Sequence, residues 1–214
     1  MKQQVAVIGL GRFGTNVVES LYNLGHDVLA IDKREDRVQS VMNQATYALA
    51  ADATNETVYR ELGIPDYDAA VVAIGSDIVP SIMASVLLKD IGVPYVVSRA
   101  YNQLHGNTLQ RIGVDKVIHA EAEMGVRLAG TGVRPQAMFT STAVRAATTA
   151  EIIAEAIGFP QGKIVRELGL YHTDVEDWLT WITGLDNAWN TVMAFGHNPG
   201  ITELVADVWE LPTE

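Results

Sequence analysis

The chain has 214 residues, of which 48% are hydrophobic and 19% are charged. This composition is typical of a globular protein, and the length fits one large α/β domain or two small ones. The formal net charge of −11 argues against nucleic acid as a main partner, because phosphate backbones bind basic surfaces. The sequence contains no cysteine, which excludes disulfides and thiolate sites. Its first residues run directly into a strand-like segment, so we expect no signal peptide and a cytoplasmic location.

Short apolar runs alternate with helix-like segments from one end of the chain to the other. In chain order, the strand-like runs are QVAVIG, DVLAID, TYALAA, AAVVAIG, YVVSRA, KVIHA, QAMFTS, KIVREL and NTVMAFG. Strands joined by helical crossovers predict an α/β fold with a doubly wound, Rossmann-like parallel sheet in a three-layer α/β/α arrangement. Since no Pro- or Ser-rich linker interrupts the pattern, we expect one extended sheet of about nine strands, shared by both halves of the chain.

Charge and tryptophan content divide the chain near residue 130. Residues 1–130 contain 11 basic and 15 acidic side chains, whereas residues 131–214 contain 4 and 11. All four tryptophans lie in residues 131–214. Composition alone is equally compatible with ordinary variation and with two segments of different origin, so the motifs must decide between them.

A glycine-rich motif follows the first predicted strand. Gly9, Gly11 and Gly14 form the pattern GxGxxG between the strand VAVI and a helix-like segment. In a dinucleotide-binding turn, the first glycine permits the tight turn, the second lets a pyrophosphate approach the backbone, and the third lets helix and strand pack closely. Asp32 ends the second predicted strand, where a carboxylate can bind ribose hydroxyls. The pattern predicts a nucleotide site; a glycine-rich turn that binds nothing is the alternative.

Further motifs narrow this match. In order, the segments GLGRFG, LAID, ADAT, VAIGSD and VIHAEAEMG resemble the RCK (KTN, or TrkA-N type) nucleotide-binding domain of bacterial Ktr/Trk potassium-uptake regulators. We therefore assign residues 1–130 to such a domain. The resemblance implies a regulatory protein that binds NAD(H), or ATP and ADP, rather than an enzyme. It also implies a homodimer or higher oligomer with a potassium-channel membrane subunit as partner, which would place the protein peripherally at the inner membrane.

The same resemblance implies which residues contact the nucleotide. They are Gly9, Gly11, Arg12, Phe13, Gly14, Asp32, Lys33, Asp52, Ala53, Thr54, Ile74, Gly75 and Arg99. The glycines and Arg12 would hold the phosphates, Asp32 would bind the ribose, and residues 52–54 would border the adenine. Glu121 matches a position that can meet a divalent cation near the phosphates. For Arg99 and Glu121, an ordinary solvated charge is an equally good interpretation.

Residues 131–214 resemble a different family. The segments MFTSTAVRAATTAEIIAEAIG, LGLYHTDVEDWLTWITGLD and VMAFGHNPGITELV are similar to the C-terminal half of the small phosphohistidine phosphatases, within the histidine phosphatase superfamily. Ser141 and Thr142 can cap the helix that carries Arg145, and His197 follows the last predicted strand. Parallel strands would bring Arg145 and His197 to the same carboxyl edge, where both can bind a phosphate.

The phosphatase-like half lacks its nucleophile. In that superfamily a histidine in an Arg-His-Gly triplet ends the first strand and becomes phosphorylated, but no Arg-His pair occurs in this sequence. His119 ends the sixth predicted strand roughly where the nucleophile would lie, although isoleucine precedes it; His105 is a weaker candidate. Arg145 and His197 are therefore candidates for a remnant phosphate site. Without the resemblance, Arg145 is more simply a surface arginine paired with Glu151 or Glu155, and His197 is a capping histidine.

Three functional interpretations follow from these motifs. The leading one is a fusion, an engineered chimera or a rare recombinant, of a nucleotide-binding RCK-type domain with an inactive half of a phosphatase. The first alternative is an active phosphatase that uses His119, Arg145 and His197, which requires all three within hydrogen-bond reach of one phosphoryl group. The second is an NAD-dependent oxidoreductase, although no Lys-Tyr, His-Asp or metal constellation is evident to transfer a proton.

Overall fold

The computed structural model describes residues 2–75, 77–171 and 173–209. The chain divides into two compact units, residues 1–120 and 121–214. Among the described residues, no helix is both long enough and apolar enough to cross a membrane.

The first unit contains a six-stranded parallel sheet with helical crossovers. Its elements are β1 (Gln4–Ile8), α1 (Arg12–Asn23), β2 (Asp27–Asp32), α2 (Glu35–Val41), β3 (Tyr47–Ala50), α3 (Glu56–Glu61), a short 3-10 turn (Ile64–Asp66), β4 (Ala69–Val72), α4 (Ile78–Asp90), β5 (Val96–Arg99), α5 (Gln103–Ile112) and β6 (Lys116–Ile118). The strand order is β3-β2-β1-β4-β5-β6, and every neighbouring pair is parallel. The order reverses between β1 and β4, where a doubly wound sheet opens a crevice at the carboxyl ends of its strands.

Both faces of this sheet are buried. Along β1, Ala6 and Ile8 pack into one hydrophobic cluster, while Val5 and Val7 pack into another. Alternate residues of a strand point to opposite faces, so helices cover the sheet on two sides and the carboxyl edge is left as the place for a ligand. The continuously apolar strands are the consequence of this double burial.

The second unit contains a smaller parallel sheet. Its elements are α6 (Ala120–Gly130), β7 (Ala137–Ser141), α7 (Val144–Ile157), a 3-10 turn (Gln161–Lys163), β8 (Ile164–Glu167), a second 3-10 turn (Leu168–Leu170), α8 (Val175–Thr183), β9 (Val192–Phe195) and α9 (Gly200–Trp209). The strand order is β8-β7-β9, and both pairs are parallel. Aromatic rings form much of its core: Phe139 packs edge-on against Trp181, with 5.0 Å between the ring centroids.

The expectation of one extended nine-stranded sheet is wrong. Each predicted strand-like run contains a strand, but in the described chain six strands form one sheet and three form another. β7, which follows β6 in sequence, pairs with β8 on one side and β9 on the other. Both of its edges are therefore occupied, and β7 has no edge at which β6 could continue the first sheet.

Candidate nucleotide-binding site

The predicted nucleotide contacts follow the strands on both sides of the point where the strand order reverses. Gly9 follows β1, Asp32 ends β2, and Asp52 lies two residues beyond β3. On the other side of the reversal, Gly75 follows β4 and Arg99 ends β5. Since all these strands are parallel, the residues share the carboxyl edge of the sheet, as ligand-binding residues of doubly wound sheets do.

The three glycines of the motif have different reasons to be glycine. Gly9 has a φ of +95°, and a Cβ there would lie 3.0 Å from the backbone nitrogen of Ile74. A Cβ on Gly14 would lie 1.8 Å from the carbonyl oxygen of Gly9, whereas a Cβ on Gly11 would have no protein atom within 4 Å in the described chain. The fold itself therefore requires Gly9 and Gly14. Gly11 leaves open space at the turn, which is where an incoming phosphate group needs it.

The start of α1 faces this space. Gly11 is the N-cap residue, and its carbonyl oxygen accepts the first helical hydrogen bond, 2.8 Å from the nitrogen of Thr15. In the described structure no side chain caps α1, and its first turn contains no acidic residue. The N–H groups of a first turn have no partners within the helix, and they lie at the positive end of the helix dipole. The turn is thus able to bind an anion through its backbone.

Asp32 fixes the glycine-rich turn. The residue is only 6% exposed, and its Oδ2 accepts a hydrogen bond from the backbone nitrogen of Leu10 at 2.7 Å. Its Oδ1 accepts from the nitrogen of Arg34 at 2.9 Å, and Arg37 lies 3.3 Å from Oδ2. Each carboxylate oxygen has two acceptor sites, so Asp32 can hold the turn and still accept from a ribose hydroxyl.

The loop after β3 is held in one conformation. Asp52 Oδ1 accepts hydrogen bonds from the backbone nitrogen and the hydroxyl of Thr54, at 2.9 and 2.7 Å. These bonds, the backbone one foremost, hold the pKa of the Asp52 carboxyl below its usual value, with a smaller contribution from the charge of Lys33. The hydroxyl of the buried Tyr59 donates to the carbonyl oxygen of Ala53 at 2.6 Å, and burial raises the pKa of Tyr59. Residues 52–54 therefore form one border of the crevice, and their internal hydrogen bonds hold them in place.

Arg99 brings together residues from both sides of the crevice. Its guanidinium carbon lies 5.3 Å from the centroid of the Phe13 ring, near the start of α1. A Cβ on Gly75 would lie 2.7 Å from Arg99 Nη1, so the absence of a side chain at residue 75 makes room for the guanidinium. A cation on the face of an aromatic ring is an attractive contact. In this position Arg99 presents a positive charge beside the turn that would hold a diphosphate.

Two contributors to this site have little signal in the sequence. Arg37 lies five residues beyond Asp32 on α2, where basic residues are common on solvated faces. Tyr59 lies on α3 in the segment ETVYRE, and nothing in this local pattern indicates that its hydroxyl reaches Ala53. Both contacts depend on how the crossover helices pack, so the sequence pattern alone could not identify them.

Three further charged residues are predicted nucleotide or cation contacts: Arg12, Lys33 and Glu121. Arg12 and Lys33 are exposed. Glu121 lies in the first turn of α6, within the second unit. Among the described residues, no group of three or more histidine or acidic side chains could hold a metal ion.

The remnant phosphate site predicted in the second unit is only partly formed. Arg145 lies in the first turn of α7 and is exposed, and Glu151, one of its expected partners, binds Arg166 instead at 2.9 Å. The expected capping by Ser141 and Thr142 is wrong in detail: the N-cap residue is Ala143, which makes no side-chain capping bond. Ser141 instead accepts from the nitrogen of Ala143, at 3.2 Å.

His197 lies in an acidic cavity. It follows β9, and its ring packs edge-on against Tyr171 with 5.5 Å between the ring centroids. The cavity beside it has a volume of about 160 Å³ and is lined by Thr173, Asp174, His197, Asn198, Pro199, Gly200 and Glu203. Two carboxylates and no arginine are among these lining residues, which is unfavourable for a phosphate.

The family of the chain is decided by its first unit. Residues 5–120 match the TrkA-N domain. The chain belongs to the TrkA-N domain family. It is 42% identical over 127 residues to Ktr system potassium uptake protein A of Bacillus subtilis (strain 168), a match that covers 59% of this chain and 57% of that protein. The chain thus spans little more than half the length of this curated relative.

Two solved structures of GsuK share the fold. The crystal structure of GsuK bound to ADP superposes with a TM-score of 0.61 at 11% identity, covering 78% of this chain and 43% of that one. The GsuK channel bound to NAD gives a TM-score of 0.52 at 12% identity, covering 60% of this chain and 23% of that one. At such identities the likeness concerns the architecture alone.

Proposed function

We propose that the TrkA-N unit binds NAD(H), ATP or ADP and regulates a potassium-uptake system. The observation that carries this proposal is the turn at residues 9–14, where the fold requires Gly9 and Gly14 while the space at Gly11 stays open. Asp32, which fixes the turn through the amide of Leu10, and Arg99 beside Phe13 complete a site for a sugar and a diphosphate. The structures of GsuK bound to ADP and of the GsuK channel bound to NAD support the same class of ligand.

Titration calorimetry with NADH, ATP and ADP tests this proposal, with adenosine as the matched ligand that lacks phosphates. We expect at least one of the three nucleotides to bind, and adenosine to bind at least tenfold more weakly because it cannot use the amides at the start of α1. Equal binding of adenosine would mean that the turn does not hold the phosphates. Failure of all three nucleotides to bind would contradict the proposal itself.

The proposed partners come from the resemblance to potassium-uptake regulators. We propose a homodimer or higher oligomer that acts on the membrane subunit of a potassium channel, and hence a cytoplasmic location peripheral to the membrane. The name of the Bacillus subtilis relative, a potassium uptake protein, supports a role in potassium transport. Exposed apolar side chains on neighbouring elements support self-association: Val79 and Met83 on α4, Tyr101 just before α5, and Leu104 in the first turn of α5. Clusters of exposed apolar residues are typical of interaction surfaces. A divalent cation at Glu121 remains part of this proposal, as the family resemblance alone suggests it.

For residues 131–214 we propose descent from a phosphohistidine phosphatase without turnover, fused to the TrkA-N domain at about residue 130. The parallel pairing of β7 with β9 supports a common edge for Arg145 and His197. Two features argue against catalysis: the missing Arg-His pair and the carboxylates beside His197. Nucleophile, base and anion clamp must all lie within reach of one phosphoryl group.

A further inference from the structure

A buried histidine lies behind the nucleotide crevice. His105, in the first turn of α5, is only 2% exposed. Its Nδ1 accepts a hydrogen bond from the backbone nitrogen of Tyr101 at 3.1 Å, and its own backbone nitrogen donates to Oδ1 of Asn102 at 2.8 Å. These two bonds close the turn between β5 and α5. The buried side chain of His105 thereby holds the exposed loop at Tyr101 and Asn102 in place.

The bond from Tyr101 defines the protonation state of this ring. Because the Tyr101 amide donates, Nδ1 carries a lone pair, and the neutral ring has its proton on Nε2. Nε2 is buried and meets no hydrogen-bond acceptor in the part of the chain that the structure describes. A protonated Nε2 cannot ligate a metal ion, so the arrangement favours a neutral imidazole over a metal ligand. Protonation at Nδ1 would place a second donor opposite the Tyr101 amide and break the bond.

The turn that His105 closes also carries Arg99. Arg99 is the last residue of β5, two residues before Tyr101, and it pairs in register with Ile118 of β6. The next nitrogen, that of Ala100, donates to the carbonyl oxygen of Ile118 at 2.8 Å. The following nitrogen, that of Tyr101, donates to Nδ1 of His105 and not to the neighbouring strand. The guanidinium of Arg99 then reaches Phe13 and Gly75 in the crevice.

We propose that His105 is a positioning residue for the nucleotide site: its neutral imidazole holds the Tyr101 turn and thereby Arg99, so that protonation of His105 weakens nucleotide binding. This proposal rests on the nucleotide-binding function proposed above. The titratable group that acts on the ring, among the described residues, is His119, which directly follows β6. The ring of His119 approaches where Gly106 has no side chain: a Cβ there would lie 2.6 Å from His119 Cε1.

The direction of the pH effect follows from the surroundings of the ring. Burial, and secondarily the charge of His119, lowers the pKa of His105 below the ordinary histidine value. The ring is therefore neutral, and Arg99 held, at every pH above the ordinary histidine pKa. The contribution is lost as the pH falls through the lowered pKa of His105.

Three variants separate this role from general destabilisation. His105→Leu fills similar space but cannot accept from Tyr101. His105→Asn retains an acceptor near the position of Nδ1 but does not titrate. His26→Leu is the matched control, because His26 Nδ1 also accepts a backbone N–H, that of Gln3 at 3.1 Å, at the amino end of β2, away from the crevice.

The experiment is a titration of ADP and of NAD⁺ against each protein at several values between about pH 8 and pH 5. At about pH 8 we expect His105→Leu to bind nucleotide about three- to tenfold more weakly than the wild type. At the same pH, His105→Asn and His26→Leu should bind with the affinity of the wild type. As the pH falls, the ratio of wild-type to His105→Asn affinity should decrease, and this ratio cancels any protonation of the ligand. Faster hydrogen exchange of the Tyr101 amide in His105→Leu is expected even without nucleotide.

The outcomes distinguish the two proposals. Nucleotide binding by the wild type with unchanged affinity in His105→Leu, or a wild-type to His105→Asn ratio that does not vary with pH, would overturn the role of His105 and leave the proposed function intact. Absence of nucleotide binding by the wild type at high pH would overturn the proposed function, and the positioning role with it.

Discussion

Replacing Gly14 with alanine is expected to destabilise the first unit by about 3 kcal/mol or more. The added Cβ would lie 1.8 Å from the carbonyl oxygen of Gly9, which is far inside any permitted contact. That oxygen belongs to the turn between β1 and α1, so neither atom can move without separating helix from strand. Hydrogen exchange of the amides of β1 and β2 measures the loss, and these amides should exchange much faster in Gly14→Ala than in the wild type.

Gly11→Ala is the matched control within the same turn. Gly11 has φ −74° and ψ 179°, a conformation open to alanine, and its Cβ would meet no described protein atom within 4 Å. Its stability should equal that of the wild type or exceed it by up to about 1 kcal/mol. Equal stability of Gly14→Ala and Gly11→Ala would contradict the packing described for this turn. Tryptophan fluorescence reports separately on the unfolding of the second unit, because all four tryptophans lie in residues 131–214.

The same Gly11→Ala variant is expected to lose nucleotide affinity by at least tenfold, which corresponds to about 1.4 kcal/mol. Its Cβ would occupy the space through which a pyrophosphate approaches the amides of α1. Since we expect the variant to fold normally, the loss can be assigned to the site and measured by calorimetry with NADH, ATP and ADP.

Gly162→Ala provides the control for this second expectation. Gly162 lies in the second unit, and a Cβ there also meets no described atom within 4 Å, so its affinity should match that of the wild type. Equal affinities of Gly11→Ala and the wild type would show that the ligand binds elsewhere on the protein.

The strands and the glycine-rich turn could be predicted because their signals are local. Continuous apolar runs between helix-like segments identify buried parallel strands, and Gly9 and Gly14 lie at the spacing that a strand, a tight turn and a helix require. Their packing against Ile74 and against each other agrees with that prediction. The conformation of the turn can thus be predicted from residues 9–14.

The division into two sheets could not be predicted in this way. Nothing in the sequence of β6 or β7 states which strands they pair with, because pairing is decided by β8 and β9, which come later in the chain and occupy both edges of β7. The contacts of Arg37 with Asp32 and of Tyr59 with Ala53 depend in the same way on the packing of distant elements. Asp32 is an intermediate case: its place at the end of β2 can be predicted from the sequence, but its bond to the Leu10 amide cannot.

An NMR titration of the isotope-labelled chain tests the phosphate-binding turn most directly. On addition of ADP, the largest shifts are expected at the backbone amides of residues 11–14, and addition of adenosine should leave those amides nearly unchanged. Shifts confined to the cavity beside His197, with the amides of residues 11–14 unmoved by ADP, would contradict a nucleotide site at the start of α1.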